Sequence, residues 1–168
     1  AVGLDLPALI EPTNTDAESA LLLPGIGVGG HCTPVYPWFV IHDAHDRGLD
    51  LPVMESARAV NDAQPAYCVD RLEEALGPLA GATVAILGLG FRPEVKEHLM
   101  SPAFGVRTAL QARGARAVLV DPLYAADEIA AHGFSPASLD DLTTPTPSLP
   151  TVDALILVTA HKAFLALD

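Results

Sequence analysis

The sequence predicts an α/β fold in which a helical region, residues 1–80, precedes a Rossmann-like parallel sheet, residues 81–168. Two observations support this prediction. After residue 81, short continuous apolar runs alternate with helical segments, which is typical of βαβ units and a mostly parallel sheet. Before residue 81, apolar residues recur at helical spacing instead. We therefore place a domain boundary near residue 80.

The first predicted element contains Leu4, Leu6, Leu9 and Ile10, and its pattern stops at residues 11–14. No capping residue is recognised ahead of it. An element that begins without a cap suggests that the chain continues a longer protein. The sequence then predicts that this chain is a part of that protein rather than the whole.

Three further elements are predicted before residue 80. A glycine-rich loop covers residues 24–33, and an apolar aromatic helix follows from Pro34 to Ala44, beginning near Pro34 or Pro37 because proline is tolerated in a first helical turn. A longer helix is predicted from Pro52 to Leu76, where a Gly-Pro pair ends it. Pro65 lies inside that helix and is expected to kink it or divide it in two.

The second part begins with a strand buried on both faces, because Thr83 to Leu87 is almost continuously apolar. A helix, a second buried strand, a short helix and a third strand follow: Ala103–Arg113, Ala117–Val120, Asp127–Ala131 and Ala154–Val158. The stretch at 143–151 is rich in Thr, Pro and Ser and is predicted to be an exposed loop.

Composition limits the possible functions. The 168 residues are 50% hydrophobic, so a core can be buried and general disorder is excluded. The net charge is −12 and no basic patch is found, which argues against a nucleic-acid partner. No apolar run approaches the ~18 residues of a membrane span, and the first residues lack the basic region of a signal peptide. Only two cysteines occur, which favours a reducing, cytoplasmic setting over a disulfide scaffold.

Two glycine-rich segments are candidate ligand sites. Residues Gly25–Gly30 match G-x-G-x-x-G, but no good strand precedes them, so a loop that approaches a ligand closely is favoured over a dinucleotide site. Gly88–Gly90 follows a strand and precedes a helix, although Pro93 stands where a third glycine would be. Arg92 and Lys96 in that loop could meet an anionic ligand such as a diphosphate, or form a solvated charged loop.

Cys32 is a candidate nucleophile. It follows His31 directly and lies between a glycine loop and a helix start, where a thiol beside an imidazole can become reactive. The alternative is that Cys32 is a small apolar filler, which is the favoured interpretation of Cys68. A zinc site would have to gather His31, Cys32, His42 and His45, whose spacing matches no standard zinc pattern. Arg58, Asn61 and Asp62 share one helix face and could form a surface ion pair or a polar wall of the site.

Three motifs, in this order, resemble one known family. They are PGIGVGGHCTPVYPWF at 24–39, ARAVND at 57–62, and GLGFRP at 88–93 followed by SPA at 101–103. They are similar to motifs of the UDP-glucose/GDP-mannose group of nucleotide-sugar 6-dehydrogenases. Within that group the UDP-N-acetylmannosamine/UDP-N-acetylglucosamine dehydrogenase branch is the most similar.

The resemblance implies an NAD-binding Rossmann domain, a central helical dimerisation region and a C-terminal UDP-sugar domain. This chain would hold the last two parts, the first of them incompletely, so NAD would be bound by a domain not present in it. The resemblance further implies oxidation of a sugar C6 alcohol to an aldehyde, then to a carboxylate through a cysteine thiohemiacetal and thioester. The expected partners are a nucleoside-diphosphate sugar and a second copy of the chain, paired through the central helix.

The resemblance also implies roles for individual residues. Cys32 would be the nucleophile, Gly29 and Gly30 would shape the loop around it, and Phe91 and Arg92 would hold nucleotide and diphosphate. The candidates for substrate contact also include three side chains, those of His31, Arg58 and Asn61.

Two departures from the family pattern stand out. Tyr36 replaces the usual Asp four residues after the cysteine, and Leu99 replaces an arginine that usually contacts substrate. Lys96, His98 or His31 are candidates to take over these duties, and we select Lys96 as a second catalytic candidate. Tyr36 and Leu99 also keep an alternative open, namely a noncatalytic nucleotide-binding or dimerisation module.

Overall fold

A four-stranded parallel sheet lies at the centre of the computed structural model, which describes residues 3–144 and 151–167. In chain order the strands are Thr83–Leu87 (β1), Arg116–Val120 (β2), Ser135–Pro136 (β3) and Ala154–Leu157 (β4). Their order across the sheet is β3-β2-β1-β4, and each neighbouring pair is parallel. The predicted α/β fold with a parallel sheet is therefore confirmed.

Six helices and a 3-10 helix accompany the sheet in the described part of the chain. The helices are Leu6–Thr13 (α1), Tyr36–Asp46 (α2), Pro52–Leu76 (α3), Pro102–Ala112 (α4), Ala126–Ala131 (α5) and Leu139–Thr143 (α6), and the 3-10 helix is Lys162–Ala166. None of the helices in the described ranges is long and apolar enough to cross a membrane.

One main hydrophobic core joins the helical region to the sheet. All five residues of β1 are buried, because β2 and β4 flank this strand and apolar side chains pack on both faces of the sheet. Val69 of α3 belongs to the same buried cluster as Ile86 of β1 and Val106 of α4. Burying a side chain of this size stabilises a fold by ~1.5–3 kcal/mol. The core thus extends across residue 80, and the domain boundary predicted there stays a prediction.

The first helix corrects one expectation. The Asp5 side chain accepts a hydrogen bond from the Ala8 N–H at 3.1 Å and so caps α1. The interpretation of an uncapped start was wrong, because an aspartate one residue ahead of the helix satisfies an N–H that the helix itself leaves unpaired. The helix also continues through Pro12 to Thr13 rather than stopping near residue 11.

The long helix is not divided at Pro65. Helix α3 is continuous from Pro52 to Leu76, so the expected division did not occur. Pro65 is buried against α4, where Gly105 leaves room for its ring: a Cβ at Gly105 would lie 2.9 Å from Pro65 Cβ and Cγ. Packing of the ring offsets the hydrogen bond that a proline inside a helix cannot donate.

The sheet has one strand more than the sequence predicted. Strand β3 contains only two residues and lies at the sheet edge, where a proline is tolerated. Strand β4 forms the opposite edge, and its Leu155 and Leu157 side chains are exposed. The predicted loop at 143–151 begins with the last residue of α6, and residues 145–150 lie outside the described part.

Candidate active site

The glycine-rich loop at residues 25–33 rests on the loop between β1 and α4, residues 88–101. The Gly30 N–H donates to the Leu99 carbonyl at 2.8 Å. A Cβ at Gly29 would lie 2.6 Å from Phe91 Cβ and 2.9 Å from the Met100 carbonyl oxygen. At Gly30, where φ is +102°, a Cβ would lie 3.0 Å from the Phe91 ring. The two glycines therefore permit the close approach that brings the two loops together.

Helix α3 also contacts the glycine-rich loop. The Val28 N–H donates to Asn61 Oδ1 at 2.8 Å. Arg58 is buried nearby, and its Nη2 donates to Asp62 Oδ1 at 2.5 Å. Together with Gly27 these side chains line a cavity of about 150 Å³. Asn61 thus holds the loop directly, whereas Arg58 pairs with Asp62 within α3, and direct contact of Arg58 or Asn61 with substrate stays a prediction.

Cys32 is exposed at the end of this loop, just ahead of α2. Its carbonyl accepts hydrogen bonds from the Tyr36 N–H at 2.9 Å and the Val35 N–H at 3.2 Å, which fixes the turn into the helix. A side-chain hydrogen bond with Cys32 raises the pKa of the Tyr36 phenol. Cys68 is partly buried in α3, and burial raises the pKa of its thiol. Of the two thiols, Cys32 belongs to the more exposed residue.

Glu97 links the two loops and was missed by the sequence analysis. Its Oε2 lies 3.2 Å from His31 Nε2, while its Oε1 accepts hydrogen bonds from the Leu99 N–H at 2.9 Å and the His98 N–H at 2.8 Å. The Leu99 hydrogen bond, followed by the one from His31, lowers the pKa of Glu97. An ionised Glu97 therefore binds the residue next to Cys32 to the sheet domain. A single acid in a polar loop gives no sequence signal for such a contact.

The two basic residues of the β1–α4 loop differ in their surroundings. Lys96 Nζ lies 2.6 Å from both carboxylate oxygens of Glu128 in α5, and this pairing lowers the pKa of Glu128. Lys96 also lies 5.1 Å from the centre of the Tyr124 ring. The structure thus directs Lys96 toward α5 rather than Cys32, and its catalytic role stays a prediction without a supporting contact. Arg92 is exposed on the same loop.

The described part of the chain does not fit NAD. No strand precedes Gly25–Gly30, so a phosphate-binding strand–loop–helix is not formed there. In the second glycine segment, the N–H groups of Leu89 and Gly90 already donate to Asp121 Oδ2. Helix α4 starts only at Pro102, so this segment is not the short strand–turn–helix of a dinucleotide site, although the hydroxyl of its N-cap, Ser101, lies 3.5 Å from the Gly90 carbonyl oxygen. We therefore derive no hydride-transfer step from these residues.

A larger cavity, of about 430 Å³, lies at the carboxyl end of β2. Its lining includes Tyr124, Asp121, Asp140 and Asp141. Three carboxyl groups around one cavity disfavour a diphosphate. The glycine-rich loop with Cys32 and the adjoining β1–α4 loop with Arg92 are therefore the better candidate site for a nucleotide sugar.

Two family models match the chain. The central domain of the UDP-glucose/GDP-mannose dehydrogenase family matches residues 1–63, and the UDP-binding domain of the same family matches residues 85–168. The chain is 32% identical over 170 residues to an NDP-N-acetyl-D-galactosaminuronic acid dehydrogenase from Ralstonia solanacearum, covering 99% of this chain and 38% of that protein. It is 29% identical to the UDP-N-acetyl-D-mannosamine dehydrogenase of Yersinia pestis, covering 98% of this chain and 40% of that protein.

Solved structures give the same result. A UDP-glucose dehydrogenase from Pyrobaculum islandicum superposes with a TM-score of 0.73 at 32% identity, covering 86% of this chain and 33% of that one. A UDP-D-ManNAc dehydrogenase from Pyrococcus horikoshii gives a TM-score of 0.74 at 25% identity, covering 99% of this chain and 37% of that one. The chain spans well under half the length of each of these relatives. With both family domains matched, the chain belongs to the UDP-glucose/GDP-mannose dehydrogenase family.

Proposed function

We propose that this chain supplies the nucleophile and the nucleotide-sugar-binding part of an NAD-dependent nucleotide-sugar 6-dehydrogenase. Such an enzyme oxidises the C6 alcohol of a nucleoside-diphosphate sugar to a carboxylate. The observation that carries the proposal is an exposed cysteine, Cys32, on a glycine loop that rests on the β1–α4 loop of the UDP-binding domain. The two thiols, Cys32 and Cys68, are unpaired, which suits the cytoplasm.

The proposed chemistry of this chain is the covalent capture of a sugar aldehyde. The Cys32 thiolate attacks the C6 aldehyde carbon, a C–S bond forms, and the carbonyl electron pair moves to the oxygen, which takes a proton from solvent. Gly29 and Gly30 keep the loop against Phe91, and Arg92 is the exposed cation that meets the diphosphate. NAD, held by another domain, would accept the hydride.

The proposal is tested by measuring NADH formation with UDP- and dTDP-sugars. We expect no turnover from this chain alone, because the described residues do not fit NAD. We expect turnover from an intact protein that carries this chain together with an NAD-binding domain. If the intact protein forms no NADH with any nucleotide sugar, the enzymatic proposal is rejected and the noncatalytic binding module is favoured.

We also propose that two copies pair through α3. Val53, Val60 and Tyr67, spaced seven residues apart along this helix, are 82%, 66% and 55% exposed. Apolar side chains that stay exposed along one long helix indicate a partner surface. Gel filtration with light scattering at increasing protein concentration is expected to show a dimer. A monomer throughout the concentration range would contradict this prediction.

A further inference from the structure

His161 is a buried imidazole that the proposed chemistry does not use. It follows β4, and its exposed fraction is 0%. Its Nδ1 accepts a hydrogen bond from the Glu94 N–H at 3.1 Å, which leaves the ring proton on Nε2. Nε2 lies 3.3 Å from Asp121 Oδ2 without the alignment of a regular hydrogen bond. A buried polar ring costs stability unless it is paired, so an apolar residue would be the simpler filler here.

The contacts of His161 converge on the β1–α4 loop. Asp121, at the end of β2, holds the N–H groups of Leu89 at 2.7 Å and Gly90 at 3.2 Å. Thr159, two residues before His161, donates its hydroxyl to the Gly90 carbonyl. The ends of β2 and β4 therefore hold the start of this loop, and His161 holds it again at Glu94.

The segment fixed in this way, residues 88–94, carries the residues proposed for the nucleotide sugar. Phe91 and Arg92 lie between the two points of attachment, Gly90 and Glu94. Phe91 is also the residue against which Gly29 and Gly30 rest. A shift of Glu94 would therefore move two things together: Arg92, the cation proposed to bind the diphosphate, and Phe91, on which the glycine-rich loop with Cys32 (the Cys32 loop) rests.

We propose that His161 is a positioning residue for the nucleotide-sugar site: it fixes residues 88–94 so that Phe91 and Arg92 face the Cys32 loop. This inference rests on the proposed function for the identity of the ligand, but the contact itself does not. The groups that face the ring are the Asp121 and Glu94 carboxylates, with Glu94 Oε1 at 3.5 Å from Nδ1, and the Phe164 ring at 5.6 Å between centres.

Two substitutions of His161 test the contacts of its two ring nitrogens, Nδ1 and Nε2, separately. In His161→Asn the amide oxygen can take the place of Nδ1 and keep an acceptor for the Glu94 N–H. In His161→Gln the amide nitrogen can take the place of Nε2 and face Asp121, while the acceptor for Glu94 is lost. Amide hydrogen exchange of this chain is expected to be ~10-fold faster at Glu94 in the Gln variant and within ~3-fold of the parent in the Asn variant.

Two controls distinguish the loss of the His161–Glu94 contact from a general loss of stability. The Ile86 amide in β1 reports the sheet, so exchange that rises equally at Ile86 and Glu94 in both variants shows unfolding and overturns a specific contact. His42→Asn replaces an exposed histidine of α2 and is expected to leave Glu94 exchange unchanged. Unchanged Glu94 exchange in His161→Gln, with the fold intact, overturns the proposal.

The positioning role is then measured in the intact enzyme. His161→Gln is expected to raise KM for the nucleotide sugar ~10-fold while kcat stays within ~3-fold, and His161→Asn is expected to restore most of the KM. A purely structural role would lower the amount of active enzyme and leave KM unchanged. Faster Glu94 exchange with an unchanged KM would overturn positioning. An intact protein without dehydrogenase activity would reject the proposed function, whereas the exchange result would still decide the contact.

Discussion

Replacing Cys32 with Ser is expected to lower formation of the sugar acid by at least ~1,000-fold in the intact enzyme, because a hydroxyl is a much weaker nucleophile than a thiolate at neutral pH. The fold should not change, because Cys32 is exposed. Its backbone carbonyl, which accepts hydrogen bonds from the Val35 and Tyr36 N–H groups, is also present in serine. Mass spectrometry of the sugar products, alongside NADH formation, measures the effect directly.

The second cysteine provides the matched control. Cys68 lies in α3, and burial raises the pKa of its thiol, so it is poorly suited to act as a nucleophile. Cys68→Ser is expected to keep turnover within ~3-fold of the parent. Parent-like acid formation by Cys32→Ser would refute the assigned role, and an equal loss in both variants would show that folding rather than chemistry was affected.

The sequence predicted the sheet where local pattern is decisive. Thr83 to Leu87 forms a continuous apolar run, and the strand has those bounds in the structure. Strand β3 could not be predicted, because two residues, one of them Pro136, form no pattern of their own and are ordered by pairing with β2. At Pro65 the local pattern predicted a break that did not occur. The helix tolerates this proline because Gly105 of α4 leaves room for its ring, which the local sequence does not show.

The residues of the candidate site also differ in how far the sequence could predict them. Cys32, Gly29 and Gly30 lie within four residues of one another, so a local motif was enough to single them out, and the structure places the two glycines against Phe91. Glu97 and His161 act through partners 66 and 67 residues away, His31 and Glu94. Such contacts arise only when the chain folds, and no single segment of the sequence contains them.

Gly29→Ala is expected to have the second largest effect, a ~100-fold loss of turnover in the intact enzyme. The added Cβ would lie 2.6 Å from Phe91 Cβ, 2.9 Å from the Met100 carbonyl oxygen and 3.2 Å from Ser101 Cα. Two of these neighbours are backbone atoms that cannot rotate away, so the glycine loop must lift from the sheet domain. A displacement of ~1 Å at a reacting group costs on the order of 100-fold in rate, and overpacking lowers stability by ~1–3 kcal/mol.

Gly25→Ala is the matched control for this prediction, because it adds the same methyl group to the same loop where no atom lies within 4 Å. We expect its turnover and its urea midpoint to stay close to those of the parent. The two alanine variants therefore differ only in whether the loop can rest on Phe91 and Met100. If Gly29→Ala retained the turnover of Gly25→Ala, the contact between the Cys32 loop and the UDP-binding domain would not be needed for the reaction, and the proposed site would have to be formed in another way.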